Sequence, residues 1–168
     1  MDLRFPDEQR AVEEPSRAFV HRELVPPEDE VERTGRVDPD LVRELRGRAL
    51  EAGLHAADRP EDAGGAGLDT LTWMPVEREP GHTGSARQTR AVARPSRILL
   101  ACPGDQRTDH PLPTVAGERV ECLAMTEPEA GSDLRGMRTR AVRDGPDRVI
   151  TATKHFTGTS LRRTAGAR

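Results

Sequence analysis

The chain has 168 residues, 26 of them basic and 29 acidic, for a formal net charge of −3; that length fits one domain or slightly more. Leu, Ile, Val and Phe number 31 in all, with one Trp and no Tyr, so the core is thin, yet the small net charge keeps the chain out of the disordered class. The basic residues are 25 Arg and the single Lys154, interspersed with acids and without stacking aromatics, which excludes a nucleic-acid binder.

The first seven residues carry acids and no apolar stretch. That predicts no signal or transit peptide, and a cytoplasmic protein. Asp7 is placed to cap a first helix running to about Leu24, with Val12, Phe19, Val20 and Leu24 near one face. Pro15 interrupts it, and an interior proline costs ~3 kcal/mol. Pro26-Pro27 stops it, and the acidic run Glu28–Glu32 reads as a solvated loop. Asp38-Pro39 then opens a helix, Asp as N-cap and Pro at the first helical position. Leu41, Val42, Leu45, Ala49 and Leu50 form its buried stripe, and Gly53 ends it.

Residues 54–68 read as a Gly-rich loop. No strand precedes Gly64-Gly65-Ala66-Gly67 and no Lys-Ser/Thr follows, so it is a tight turn leading to Asp69 as the next N-cap, not a phosphate loop. A helix over about Thr70–Glu79 carries Pro75. From there to residue 115 the prolines predict short or broken helices. Ile98–Cys102 is the longest aliphatic run, far too short for a membrane span. Cys102 and Cys122 lack metal or disulfide spacing, and His21 and His110 have no ligand partner at a useful interval.

From Glu121 the period shifts toward two. Strands are predicted over Glu121–Met125, Thr139–Arg143 and Arg148–Ala152, with Asp144-Gly145-Pro146-Asp147 as a hairpin turn between the last two. The chain turns polar and Arg-rich from Leu161. Three strands leave open edges. The first strand runs into Thr126-Glu127-Pro128-Glu129-Ala130-Gly131-Ser132-Asp133. Pro128 and Gly131 set a turn, and Ser132 and Asp133 are expected to fold back on local backbone. Such a rim presents hydroxyls and N–H groups that suit a polar cofactor edge or a phosphate. Ser132, Asp133 and His155 do not make a triad, because adjacent Ser and Asp cannot both take their roles on one His without a special turn.

Met125-Thr126-Glu127-Pro128-x-Ala130-Gly131-Ser132-Asp133 resembles the flavin-binding signature of the acyl-CoA dehydrogenase family. Supporting pieces stand in the family's order: Phe19-Val20 with Arg22-Glu23-Leu24, then Pro60 to Asp69, then Ala116-Gly117-Glu118, Thr139-x-Ala141 and Lys154-His155-Phe156. The resemblance implies an α+β fold: an N-terminal all-α helical domain, residues 1–120, followed by an incomplete antiparallel β domain, residues 121–168. It implies FAD as cofactor, held by Leu123, Met125, Thr126, Gly131, Ser132, Phe156 and Thr157. Thr126 is expected at the isoalloxazine ring, and Ser132 at the CoA part of an acyl-CoA substrate. An electron-transfer flavoprotein is the implied partner, and full-length relatives are homo-oligomers. The step after Lys154-His155-Phe156 departs from the pattern. It looks one residue short at Thr157-Gly158, and Ala152 stands where the family usually has Gly. The family's catalytic Glu lies in a later helical domain, and no Glu here matches it, so no catalytic residue is assigned. Glu127 and Glu129 are structural loop residues in the pattern. The expected protein is therefore a truncated, inactive fragment of a dehydrogenase of acyl-CoA thioesters. The alternative is a non-enzymatic remnant or interaction module, or one piece of a split enzyme completed by another chain.

Overall fold

A computed structural model describes residues 5–83 and 91–157. The chain divides into two compact units, Met1–Arg119 and Val120–Arg168. The first is helical; the second holds a two-stranded antiparallel sheet. The α+β expectation is met. The polar runs 84–90 and 158–168, including the Arg-rich end from Leu161, lie outside the described residues.

Helix α1 spans Asp7–Phe19 and passes directly into a wider π turn, Val20–Leu24. Two expectations fail here. Pro6 occupies the N-cap and Asp7 is the first helical residue, its carboxylate paired with Arg10 and not with backbone N–H groups. Pro15 does not interrupt the helix. The helix is carried through it by burial of Phe19, Val20 and Leu24, each contributing ~1.5–3 kcal/mol on transfer from water. The acidic run is not a loop either: α2 spans Glu28–Thr34 and ends on Gly35 in the left-handed region at φ 64°. The acids Glu28, Asp29 and Glu30 sit in its first turn, where the helix dipole favours them, and Val31 plugs its inner face.

Helix α3, Pro39–Glu51, follows its sequence signals closely. Asp38 accepts from the Asp40 N–H at 2.8 Å, Pro39 takes the first position, and Gly53 follows at φ 67°. Leu45 and Ala49 are buried, Leu41 and Val42 are half-buried, and Leu50 stays at the surface against expectation. Asp69 caps α4, Thr70–Arg78, accepting from Leu71 N–H at 2.8 Å and Thr72 N–H at 2.9 Å. A 3-10 turn, Glu79–His82, continues it. Past the described gap come a 3-10 turn, Arg97–Ala101, and two five-residue helices, α5 (Asp105–Asp109) and α6 (Pro111–Val115). The expected short pieces are what form.

The core of this unit gathers Phe19, Val20, Leu24, Leu45, Ala49, Leu54, Ala57, Trp73 and Val76. Helix α1 packs on α4, and Ser16 Oγ donates to the Val76 carbonyl at 3.2 Å. Beside that seam Glu13 and Glu79 are buried carboxylates, each held by both Arg17 and Arg78. Burial pushes the Glu79 carboxyl up, but hydrogen bonds from Arg78 and Arg17 outweigh it and hold it below the ordinary range. Arg59 is 1% exposed, paired with buried Asp58, and its Nη1 makes no hydrogen bond. The Gly-rich loop folds tightly over it: the Gly67 N–H donates to the Arg59 carbonyl at 2.8 Å.

In the second unit, β1 (Arg140–Asp144) and β2 (Asp147–Thr151) pair with Asp144 opposite Asp147. Gly145-Pro146 makes the two-residue turn, with Gly145 at φ 60° as that turn requires. The strand predicted over Glu121–Met125 does not form. That segment has no ladder partner among the described residues, and Cys122, Leu123, Ala124 and Met125 are exposed and not buried. An apolar run becomes a strand only where a neighbour supplies the hydrogen bonds.

Candidate functional site

The sequence places the candidate site at the exit of residues 121–126 and at residues 154–157, far apart along the chain. Within the second unit the fold brings them together. Glu127 and Ala130 form an isolated antiparallel bridge, N–H to carbonyl at 3.1 Å and 3.2 Å, closing a turn over Pro128-Glu129. Gly131 lies just beyond this turn, not inside it. The Asp133 carboxylate accepts from the Arg135 N–H at 3.1 Å and caps a 3-10 turn, Leu134–Gly136. Asp133 thus folds back as expected. The Ser132 hydroxyl does not: it makes no hydrogen bond within the described residues, and local closure falls to its carbonyl, which accepts from Leu134 N–H at 3.2 Å.

The two segments meet backbone to backbone. The His155 N–H donates to the Thr126 carbonyl at 2.9 Å. One residue earlier, Lys154 Nζ donates to the Met125 carbonyl at 3.0 Å and to Glu127 Oε1 at 2.8 Å. Phe156 follows at φ 57°, in the left-handed region that a bulky residue avoids, with 89% of its surface exposed. Its ring meets the His155 ring edge-on at 6.0 Å. Backbone strain of this kind collects at functional positions.

Glu127 is the electrostatic centre of this arrangement. It is 5% exposed. Its carboxylate accepts from Lys154 Nζ, from the Thr139 hydroxyl, and from the N–H groups of Arg138 at 2.6 Å and Thr139 at 3.0 Å. Lys154 first, then Thr139 and the Arg138 N–H, pull its pKa down to about 2. A carboxylate so held has almost no basicity at neutral pH. Its hydrogen bonds organise the loop. Sequence reasoning gives Glu127 this structural role and singles out Lys154 as the one lysine and as part of the Lys154-His155-Phe156 motif, but assigns it no partner.

Leu123, Met125, Leu134, Met137 and Phe156, all in the second unit, are each exposed. The Thr126 hydroxyl, like that of Ser132, makes no hydrogen bond within the described residues, and a Cβ built on Gly131 would meet nothing within 4 Å. Thr157 is half-buried at the end of the second segment. Chemically, the loop offers the uncommitted Thr126 and Ser132 hydroxyls, open space at Gly131 and exposed apolar side chains. That is a donor set suited to a flat group with a polar edge. Among the described residues no three His, Cys, Asp or Glu side chains gather to hold a metal ion, and no helix is long and apolar enough to cross a membrane.

Along the chain, a helical unit with Asp-capped helices leads into the Thr-Glu-Pro turn and then the two-stranded hairpin. Residues 6–102 match the sequence family described as acyl-CoA dehydrogenase, N-terminal domain. The chain belongs to the acyl-CoA dehydrogenase family. It is 28% identical over 158 residues, 92% of its length, to a Bacillus subtilis protein named probable acyl-CoA dehydrogenase YngJ, and covers 40% of that protein. It is 32% identical over 90% of its length to the mitochondrial long-chain specific acyl-CoA dehydrogenase of Sus scrofa, covering 35% of it. Among solved structures, an acyl-CoA dehydrogenase complexed with FAD from Bacillus anthracis superposes at TM-score 0.73 with 26% identity, over 91% of this chain and 27% of that one. The chain thus spans about two fifths or less of the length of these relatives.

Proposed function

We propose that the chain is the leading part of an FAD-dependent acyl-CoA dehydrogenase, with residues 1–120 as its helical domain and 121–168 as the start of its middle β domain. The observation that carries this reading is the 2.9 Å bond from the His155 N–H to the Thr126 carbonyl, which draws the two signature segments into one loop cluster. FAD held by these residues would supply a hydride acceptor for the β-carbon of an acyl-CoA thioester. The chain's own residues bind and orient. Thr126 presents its hydroxyl or N–H to the flavin edge; Leu123, Met125, Phe156 and Thr157 line it. Gly131 lets backbone approach, and the Ser132 hydroxyl faces the CoA part of the substrate. The uncommitted hydroxyls and the open space at Gly131 fit such a group. Glu127 does not take the α-proton, since it is spent on loop closure. The reading includes a cytoplasmic location, a homo-oligomeric whole enzyme and an electron-transfer flavoprotein as electron acceptor.

A second reading has one observation in its favour. Val142 and Val149, opposite each other on one face of the hairpin, are exposed, and so is Ile150 on the other face, as in a sheet made to be covered. On that reading the chain is a non-enzymatic interaction module, or a piece of a split enzyme completed by another chain. The adjacent reading frame discriminates: further strands and a catalytic Glu encoded there favour a split enzyme.

The test is FAD titration of the 168-residue polypeptide, followed by flavin fluorescence and then gel filtration. The expected result is weak quenching that is lost in Thr126→Ala/Ser132→Ala, with no flavin retained on the column. Quenching indifferent to both substitutions, or none at all, overturns the assignment of the loop.

A further inference from the structure

We propose that Lys154 is the positioning residue of the candidate flavin loop, and that its role requires an ammonium and not merely a positive charge. As a role toward that loop, this rests on the flavin reading above. The chain uses arginine 25 times and lysine once. The one lysine stands where three acceptors surround a single point: the Met125 carbonyl at 3.0 Å, Glu127 Oε1 at 2.8 Å and Met137 Sδ at 3.9 Å. An ammonium has three donors on one atom, pointing in three directions. A guanidinium is a planar fork with donors spread over three nitrogens, and it cannot meet these acceptors from the same place. The side chain is only 18% exposed, so a larger head has little room to swing outward and keep its contacts.

The consequence is geometric. Lys154 ties Met125 on one side of Thr126 and Glu127 on the other, while its neighbour His155 holds Thr126 itself. Glu127 in turn grips Arg138 and Thr139 at the entrance to β1. Three stretches of chain are thereby fixed to one ammonium, and the spacing between Thr126 and Phe156 follows from it. Ordinary ion pairs elsewhere in this protein, such as Arg43 with Asp40, join two exposed side chains and fix no backbone.

The experiment is amide hydrogen exchange on the flavin-free 168-residue chain, comparing wild type with Lys154→Met, Lys154→Arg and Glu127→Gln. The readout is the His155 N–H, with the ladder amides of β1 and β2 as an internal control for folding. All three variants are expected to lose about tenfold or more of the His155 protection while the hairpin amides keep theirs. Acid provides a second readout. In wild type the His155 protection persists until Glu127 titrates near 2; in Lys154→Met whatever protection remains at neutral pH is lost at higher pH than in wild type, because Lys154 is the largest cause of that low value. Full protection in Lys154→Arg shows that charge alone suffices and overturns the proposal, as does unchanged protection in Lys154→Met. If the hairpin amides are lost together with His155, the residue is a general folding determinant and the proposal again fails. Because no flavin is present, failure here is separate from failure of the flavin assignment.

Discussion

Two residues show how far a single atom can decide local structure. Gly65 has no room for a side chain: a Cβ there would lie 2.2 Å from the Arg59 carbonyl oxygen, which is backbone and cannot step aside. Gly65→Ala therefore forces the loop off buried Arg59, and a loss of about 2 kcal/mol or more is expected in urea unfolding, at the upper part of the range for overpacking. A loss below about 0.5 kcal/mol would mean that the loop relaxes freely. Glu127 makes the opposite point, since it acts by what it accepts. Its folded pKa, about 2, lies below the unfolded carboxylate value. Its stabilising effect is thus complete above the unfolded value and fades as pH falls toward 2. The amides of Arg138 and Thr139 should lose protection across that window in wild type, and already at neutral pH in Glu127→Gln. Protection that stays level to pH 2 would count against the bond network.

At the scale of elements, proline placement separates what packing can override from what it cannot. Pro15 lies inside α1, is exposed, and makes no contribution to the core. It still removes one helix hydrogen bond and crowds the carbonyl four residues earlier. The neighbouring buried groups Ser16 and Phe19 hold the helix in spite of it. Pro15→Ala is accordingly expected to stabilise the first unit by about 1–3 kcal/mol, read as a rise in its thermal midpoint; a fall would show that the proline is needed to set the path into the Val20–Leu24 π turn. Pro111 and Pro39 sit at first helical positions, where no bond is lost. The hairpin shows the reverse case. Its turn chemistry is sound, but every position of both strands is exposed, so register is set by Gly145-Pro146 and by pairing alone.

At the scale of the whole molecule, the decisive quantity is how much of a reaction site 168 residues contain. Taking an α-proton from a thioester needs a base within ~3 Å, in a site closed to water. The loop cluster offers hydroxyls, apolar surface and one carboxylate already saturated with donors. By itself the polypeptide is expected to give no dye reduction with acyl-CoA of any chain length, even with added FAD. Turnover that disappears in Thr126→Ala/Ser132→Ala would refute this, and would require a base from within these residues or from a second copy.

The sequence by itself determined the features written in short-range chemistry. Asp38-Pro39 and Asp69 start helices because a cap needs only its own next few residues. Asp144-Gly145-Pro146-Asp147 turns a hairpin for the same reason. The Thr126–Ser132 stretch and its companion at 154–157 were legible as motifs of a family, with Glu127 as a loop residue. What the tertiary structure decided was everything that depends on a distant partner. Residues 28–34 became a helix because Val31 found a buried place. Residues 121–125 did not become a strand because no neighbour supplied a ladder. Lys154 and Glu127 lie 27 positions apart, and no periodicity links them. Only when the chain folds back do an ammonium and a carboxylate come within 2.8 Å, and the attraction that fixes the loop depends on that distance and on exclusion of water, neither of which local sequence encodes.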